Sequence, residues 1–502
     1  FSNMQAIGYT YLIDHFSLEV LPPYKTSFLS NHAQRTTLLT QDEEEEYFPA
    51  KYLRGDSWRH HLLFALRHEG VNLSVLKALF RQLSEDEVMS LVQSRKISVY
   101  SRRVWFFYEF LTGRELPLEA LKTGNYQHVL PPADYFVIPD AAAKRARRQR
   151  LICNLPGNAA FCPMVRITKK LGKFREIDFS GELAATLKRF PAELIYRANS
   201  FLYLKETKSS YAIEHQNPSQ KRISAFLGIL QLAGNQPLTK EFLIRLQNCI
   251  VDKRYAESDY RSDQVYVGQT IAPGHELIHF IGVKPADLPE FMQAFLETAQ
   301  KLLDAECDPI ITAAVLSFAF VFIHPFNDGN GRLHRYLLHH VLAARHFNPE
   351  HIQFPVSAVL YKNPRLYDRM LESFSKKLLP LLDYCLDSDG AMTVKNETAD
   401  FYRFIDFTTI AEELYGIVAE TLRTELIPEL EYLVAWEKAR ERMRDIVDMP
   451  EKKARQLMIF IQQNQGCFPK SRRSQFPELT DEELAKISSV IKEEIFERDK
   501  SN

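Results

Sequence analysis

The sequence predicts a mainly α-helical fold with one small β-hairpin, on three observations. Apolar residues recur at helical spacing through most of the 502 residues, and capping boxes mark helix starts at Ser84/Glu87 and Thr480/Glu483. Strand signals concentrate in one clear stretch, "QVYVGQTIAPGHELIHFIGV" (264–283), where β-branched and aromatic residues flank Gly and Pro as in a hairpin. The most apolar run, "IITAAVLSFAFVFI" (310–323), has fourteen residues. That is short of the about 18 to 20 needed to cross a bilayer, so it reads as a buried core helix of a soluble, cytoplasmic protein.

Taken in order, "SRRVWFFYEFLTG" is a helix stopped at Gly113. Further helices are expected over 219–233, 239–251, 288–304, 309–323, 330–346 and 364–386, and over "LAKISSVIKEEIF" after Thr480. The pattern breaks in a Pro-rich stretch at 126–165 and in the polar "DSDGAMTVKNET" (387–398). Three domains follow: a helical one over 1–190, a core over 191–390, and a C-terminal one over 391–502. In the last, two short helices around a Gly- and Pro-bearing turn, with Lys470, Arg472 and Arg473 nearby, suit a winged-helix or helix-turn-helix module. A helical scaffold or dimerisation unit is the alternative.

Composition excludes more than it selects. Hydrophobic residues are 45% and charged residues 25%, ordinary globular usage. Lys and Arg number 63 against 64 Asp and Glu, so a net charge of −1 gives no electrostatic case for nucleic acid or membrane. The acidic run at 42–46 and the basic run at 144–150 read as solvated faces. Six scattered cysteines, with no CxxC pair, suit a reducing compartment, and no segment reads as a secretory leader. The histidines of "RHH" (59–61) and "HRYLLHH" (334–340) lack a carboxylate–cysteine set and read as packing or surface groups.

Chemistry concentrates in "HPFNDGNGRLHR" (324–335), directly after the apolar helix. A glycine-bearing loop opening a second helix near Asn330 presents backbone N–H groups at a positive helix end, an anion site. Gly329 and Gly331 allow close approach of a phosphate. Arg332 and Arg335 are three apart on one helix face and can reach one polyphosphate. Asp328 offers a hard oxygen to Mg2+. His324 is placed as a general base, and Phe326 as a core anchor.

This dodecamer resembles the signature of Fic-domain proteins, HPFx[DE]GNGRxxR, and matches it at every fixed position. The resemblance extends more loosely over about 195–390, and implies a Fic-type helical bundle with a hairpin flap. It implies a transferase moving AMP from ATP, with Mg2+, to a hydroxyl side chain of a target protein. His324 would deprotonate that hydroxyl and Asp328 would hold Mg2+. Gly329, Asn330 and Gly331 would form the anion hole, and Arg332 and Arg335 would bind the terminal phosphates. Gly331 favours AMP transfer, because Doc-type kinase relatives carry Lys there. Residues Val265, Tyr266, Val267, Gly268, Gln269 and Thr270 resemble the flap that holds a target segment by strand addition. Asn363 and Tyr367 fall where the family often contacts the base.

A second stretch, "KSSYAIEHQNPS" (208–219), is similar to the family's inhibitory motif [ST]xxxE[GN], with Ser210 and Glu214 on an inhibitory helix over 208–216. The resemblance implies a Glu214–Arg335 ion pair that crowds the terminal phosphate. His215 departs from the motif's Gly or Asn. The rival readings are removal of AMP by the same site, and a nucleotide-sensing DNA-binding regulator acting through the tail. The target, the nucleotide preference and the oligomeric state are open at this level.

Overall fold

The computed structural model describes residues 5–31, 33–39, 44–272, 275–349 and 352–497. The chain divides into two compact units, neither contiguous in sequence. One comprises Phe1–Ile177, Glu214–Phe347 and Asn363–Gly416; the other comprises Asp178–Ile213, Asn348–Lys362 and Ile417–Asn502. The sequence boundaries at 190/191 and 390/391 coincide with neither set of edges.

In the first unit, Ser84 and Glu87 form the capping box and Gly113 ends its helix at φ 70°. The helices around Leu73–Gln82 and Val99–Thr112 bury Trp105, Phe107 and Leu76 in one apolar cluster. The N-terminal region, expected to be mostly helical, also carries two small sheets. A four-stranded sheet runs in the order Ala6–Ile7, Lys25–Ser30, Glu44–Pro49, Thr36–Leu39, its central pair parallel. A three-stranded sheet joins Gln127–His128, Leu151–Cys153 and Lys144–Ala146.

Both charge runs contribute strand residues; in the basic run Lys144, Arg145 and Arg147 are solvent-exposed as expected, whereas the acidic run is partly covered. Asp42 and Glu43 lie outside the described residues, but Glu44–Glu46 are strand residues. Glu46 is buried against Lys25, at 3.1 Å, and Arg35. In the basic run, Arg148 donates to Glu109 at 2.7 Å and lies over the Trp105 ring. The long-range pairing of opposite charges makes such strands affordable despite a poor β-propensity.

Residues 220–378 hold the helices nearest the motif. Lys240–Ile250, Leu288–Asp304 and Pro309–Ile323 match the expected spans within about two residues. The helix Pro309–Ile323 is buried along nearly its whole length and starts on Asp308, which accepts from the N–H groups of Ile310 and Ile311. The expected helix over 364–386 stops at Leu378. Tyr384–Leu386 instead pairs with Met392–Val394 in a small hairpin, so the polar 387–398 stretch is partly strand.

In the second unit, helix Ala192–Ile213 packs on Val356–Lys362, where Ser357 N–H donates to the buried Glu206 at 2.9 Å. Buried Glu425 takes Lys205 at 2.6 Å and also Lys362. Beyond Ile427 every regular element among the described residues is helical, with Ala439, Met458, Ile461 and Ile487 in a separate core. No wing strands are present among the described residues of the tail, where helices Glu451–Gln463 and Asp481–Ile491 are joined through a short helical turn at Lys470–Gln475. Among the described residues no helix is long and apolar enough to cross a membrane.

Candidate active site

The apolar helix ends where the chemistry begins. His324 caps it in the left-handed region, at φ 56° and ψ 61°, a conformation costing a non-glycine residue roughly 1–2 kcal/mol. The Nδ1 of His324 lies 3.0 Å from the Val321 carbonyl, which can only accept. Nδ1 therefore carries the proton, and Nε2 is the basic nitrogen. Burial, opposed by the Val321 bond, lowers the pKa to about 4, with Arg261 adding to the fall. The ring is neutral at physiological pH and ready to accept a proton.

The loop from Phe326 to Asn330 is clamped from within. The Asn330 amide accepts from Phe326 N–H at 3.1 Å and donates to its carbonyl at 2.7 Å, while the Phe326 ring is fully buried. Gly329 takes φ 93° as the residue before helix Asn330–Ala344, and no side chain caps that helix end. Asn330 thus shapes the anion hole by bracing the loop, leaving the first-turn backbone as the anion donor. Asp328 accepts from Arg332 at 2.9 Å and from Gly329 N–H at 2.6 Å through Oδ1, on a half-exposed carboxylate. Among the described residues no three His, Cys, Asp or Glu side chains gather as a cage. A single hard-oxygen donor fits Mg2+, which keeps several waters and takes substrate phosphates.

The two arginines are both 1% exposed. Arg332 turns to the Ile250 carbonyl, at 3.0 Å, and to Asp328, so it orders the loop. Arg335 donates to Glu214 Oε1 at 2.7 Å. Burial alone would raise the Glu214 pKa; Arg335, with Arg332 and His334 adding, overrides it and holds the carboxyl below its ordinary value. A Cβ on Gly331 would lie 2.2 Å from Glu214 Oε1, so this glycine admits the carboxylate to the helix end.

Glu214 is one residue past the helix Ala192–Ile213, which ends there because His215 turns left-handed, at φ 52°. The expected helix over 208–216 is therefore too long, and Ser210, buried, belongs to the other unit. Histidine does at 215 what Gly or Asn does at a helix end more cheaply.

Tyr367 hydrogen-bonds Arg335 and stacks on His334 at 6.0 Å, with its hydroxyl raised to about 12 by burial. Asn363 precedes helix Pro364–Leu378 and lines a separate cleft with Pro364 and Arg369. The two are joined at the main chain, where Tyr367 N–H donates to the Asn363 carbonyl at 3.3 Å.

The flap pairs Tyr266–Ala272 with His275–Ile281 antiparallel, with register shifts after Val267 and Thr270; residues 273–274 lie outside the described set. Val265 precedes the strand and accepts from Gly282 N–H at 3.1 Å. From Val267 on, the strand is exposed through Gly268, Gln269 and Thr270, with Val267 at 45% and Ile271 at 64%. An open strand edge of this kind is a template for β-addition. At its base Phe280 packs against His324, ring centroids 6.4 Å apart.

Sequence reasoning missed Arg261. It is buried, donates to the His324 carbonyl at 2.7 Å and the Asp263 carbonyl at 2.6 Å, and also reaches the Val283 carbonyl. One guanidinium therefore ties the histidine to both ends of the flap. Its pKa is lowered to about 10 by burial.

Residues 237–342 match the model of the Fic/DOC family. A relative from Drosophila willistoni, "Protein adenylyltransferase Fic", is 34% identical over 91 residues, 18% of this chain and 16% of that protein. One of the same name from Nematostella vectensis is 36% identical over 95 residues, 19% and 20% of the two. This chain thus spans a fifth or less of these relatives' length. The crystal structure of a Fic domain containing signaling protein from Bacteroides thetaiotaomicron, 21% identical, aligns over 50% of this chain and 97% of that one with a TM-score of 0.36. The matched segment contains the flap, Arg261 and the whole dodecamer, and excludes Glu214. Over residues 237–342 this chain is thus similar to the Fic/DOC family.

Proposed function

We propose that this chain is a protein adenylyltransferase, restrained by Glu214, that moves AMP from ATP to a hydroxyl of a target protein or of itself. One observation carries the reading. A neutral histidine with Nε2 unprotonated heads the loop that opens an uncapped helix N-terminus, and the arginine one turn on is already matched to a carboxylate.

A target segment pairs with the flap strand from Val265 to Thr270, which sets its hydroxyl near His324. The hydroxyl oxygen attacks the α-phosphorus as its proton passes to Nε2. The bond from that phosphorus to the α–β bridging oxygen breaks, and pyrophosphate leaves. Charge on the phosphoryl oxygens is met by the first-turn N–H groups of Asn330 and Gly331, with Gly329 permitting the close approach. Asp328 would hold Mg2+, which supplies counter-charge to the phosphates. Arg335, steadied by Tyr367, binds the terminal phosphate once Glu214 yields it. Because carboxylate and phosphate compete for one guanidinium, the ion pair is the restraint. Cytoplasmic ATP and Mg2+ suit this reading.

The test is transfer of label from α-labelled ATP with Mg2+. Label should rise strongly on Glu214→Gly and vanish on adding His324→Ala; label that survives His324→Ala overturns the mechanism. Release of AMP from pre-labelled protein by the wild-type chain, but not by Glu214→Gly, would assign the removal reaction instead.

A further inference from the structure

We infer that Gln247 and Glu257 are positioning residues that latch the 327–328 segment from outside, and so fix Asp328 at the cation subsite. The loop is braced on its inner side by Asn330. Within the dodecamer Arg332 and the Gly329 N–H hold the Asp328 carboxylate, and two residues upstream of the flap, Gln247 and Glu257, add a hold on the main chain of Asn327 and Asp328.

Gln247 is fully buried on helix Lys240–Ile250. Its Nε2 donates to the carbonyls of Tyr255, at 3.0 Å, and Asp328, at 3.3 Å, and lies 3.3 Å from Glu257 Oε1. Its Oε1 accepts from Glu257 N–H at 3.3 Å. Asn248 fixes the Glu257 backbone again, accepting from its N–H at 2.8 Å and donating to its carbonyl at 3.0 Å. Glu257, held at its main chain, turns its carboxylate to the loop: Oε1 accepts from Asn327 N–H at 2.9 Å and Oε2 from the Asn327 amide at 3.4 Å.

Both oxygens thus serve the loop, and a negative group is spent beside another one, Asp328. That arrangement is intelligible if what is needed is a fixed acceptor for Asn327 N–H. A buried amide gripping the Asp328 carbonyl then fixes the main chain from which the Asp328 carboxylate, itself held by Arg332 and the Gly329 N–H, projects. Outer partners that orient a ligand in this way are typically worth 10–100-fold in metal affinity or activity.

The inference rests on the adenylyltransferase reading only for the identity of the ligand, Mg2+ with ATP. The experiment uses the full chain carrying Glu214→Gly as parent, with Glu257→Ala and Glu257→Gln added separately. Two quantities are read: hydrogen exchange of a fragment containing Asn327 and Asp328 without nucleotide, and the Mg2+ concentration needed for half-maximal ATP binding by calorimetry. Glu257→Ala should speed exchange at Asn327 and raise the Mg2+ requirement on the order of 10-fold. Glu257→Gln keeps an acceptor oxygen for Asn327 N–H and should stay close to the parent in both. Unchanged exchange in the alanine variant overturns the latch. Glutamine failing as badly as alanine in the Mg2+ requirement also overturns it, because the carboxylate would then act through its charge. A parent that binds but never transfers AMP would sink the adenylyltransferase reading, while the exchange result still decides the latch.

Discussion

Replacing Glu214 with glycine removes the carboxylate that occupies Arg335. The bond is a short charge-assisted one, Nη2 to Oε1 at 2.7 Å, on a guanidinium that is 1% exposed. Hydrogen bonds to charged groups contribute about 1.5–3 kcal/mol, and a triphosphate must displace this one to engage Arg335 productively. At about 1.4 kcal/mol per factor of ten, its removal should raise kcat/KM for AMP transfer by about 10- to 150-fold. Glu214→Gln, which leaves a neutral acceptor of about half the strength, should fall between. The same change leaves Arg335 with Tyr367 but without its counter-charge, so folding stability should fall by about 1–3 kcal/mol in urea melts. Initial rates of label incorporation against ATP concentration give the kinetic arm. An unchanged kcat/KM, with the stability loss present, would show that the ion pair is structural and does not compete with the nucleotide.

Gly331→Ala should destabilise the wild-type chain, because its Cβ would meet Glu214 Oε1 at 2.2 Å, and should cost much less in the Glu214→Gly background; equal costs in a double-mutant cycle would refute the contact. The acid limb of kcat/KM should fall only as pH drops toward about 4, where burial places His324, so activity holds through pH 6.5; a limb centred near 6.5 would contradict the site. Burial holds His324 and His340 near 4 and His334 near 3, below the ordinary 6.5. The unfolded chain therefore binds more protons between those values, and stability should decline as pH is lowered from about 6.5 to about 4, read by urea midpoint. Arg261→Met fills the space but leaves three carbonyls without their donor, which should cost at least about 3 kcal/mol and reduce AMP transfer more than ATP binding; equal losses in both would remove Arg261 from the positioning of His324.

What was legible in the sequence was what is local. The dodecamer carries a loop, a helix start and their chemistry in consecutive residues, and the helix Pro309–Ile323 announces itself by having no polar face to choose. Capping boxes at Ser84 and Thr480 are likewise three-residue patterns. The N-terminal sheet was illegible because Lys25–Ser30 pairs in parallel with Glu44–Pro49, and the acids there become strand residues only once Lys25 and Arg35 face them. Tyr384–Leu386 was lost inside an apparent helix because a three-residue strand has too short a period to detect. In the site, Arg261 gives no signal by itself: its partner carbonyl at His324 is 63 residues away. Gln247 and Glu257 hold the loop from 81 and 70 residues upstream. Such residues are defined by what they touch, and only the fold supplies that.

The most direct test of the central claim is which phosphate stays on the protein. The Glu214→Gly chain would be incubated with Mg2+ and ATP labelled either on the α- or on the γ-phosphate, and the label on protein compared. The account predicts retained α-label, dependent on His324, and no retained γ-label. Retained γ-label would mean that the nucleotide lies reversed beside Gly331 and that the site transfers phosphate, contradicting AMP transfer.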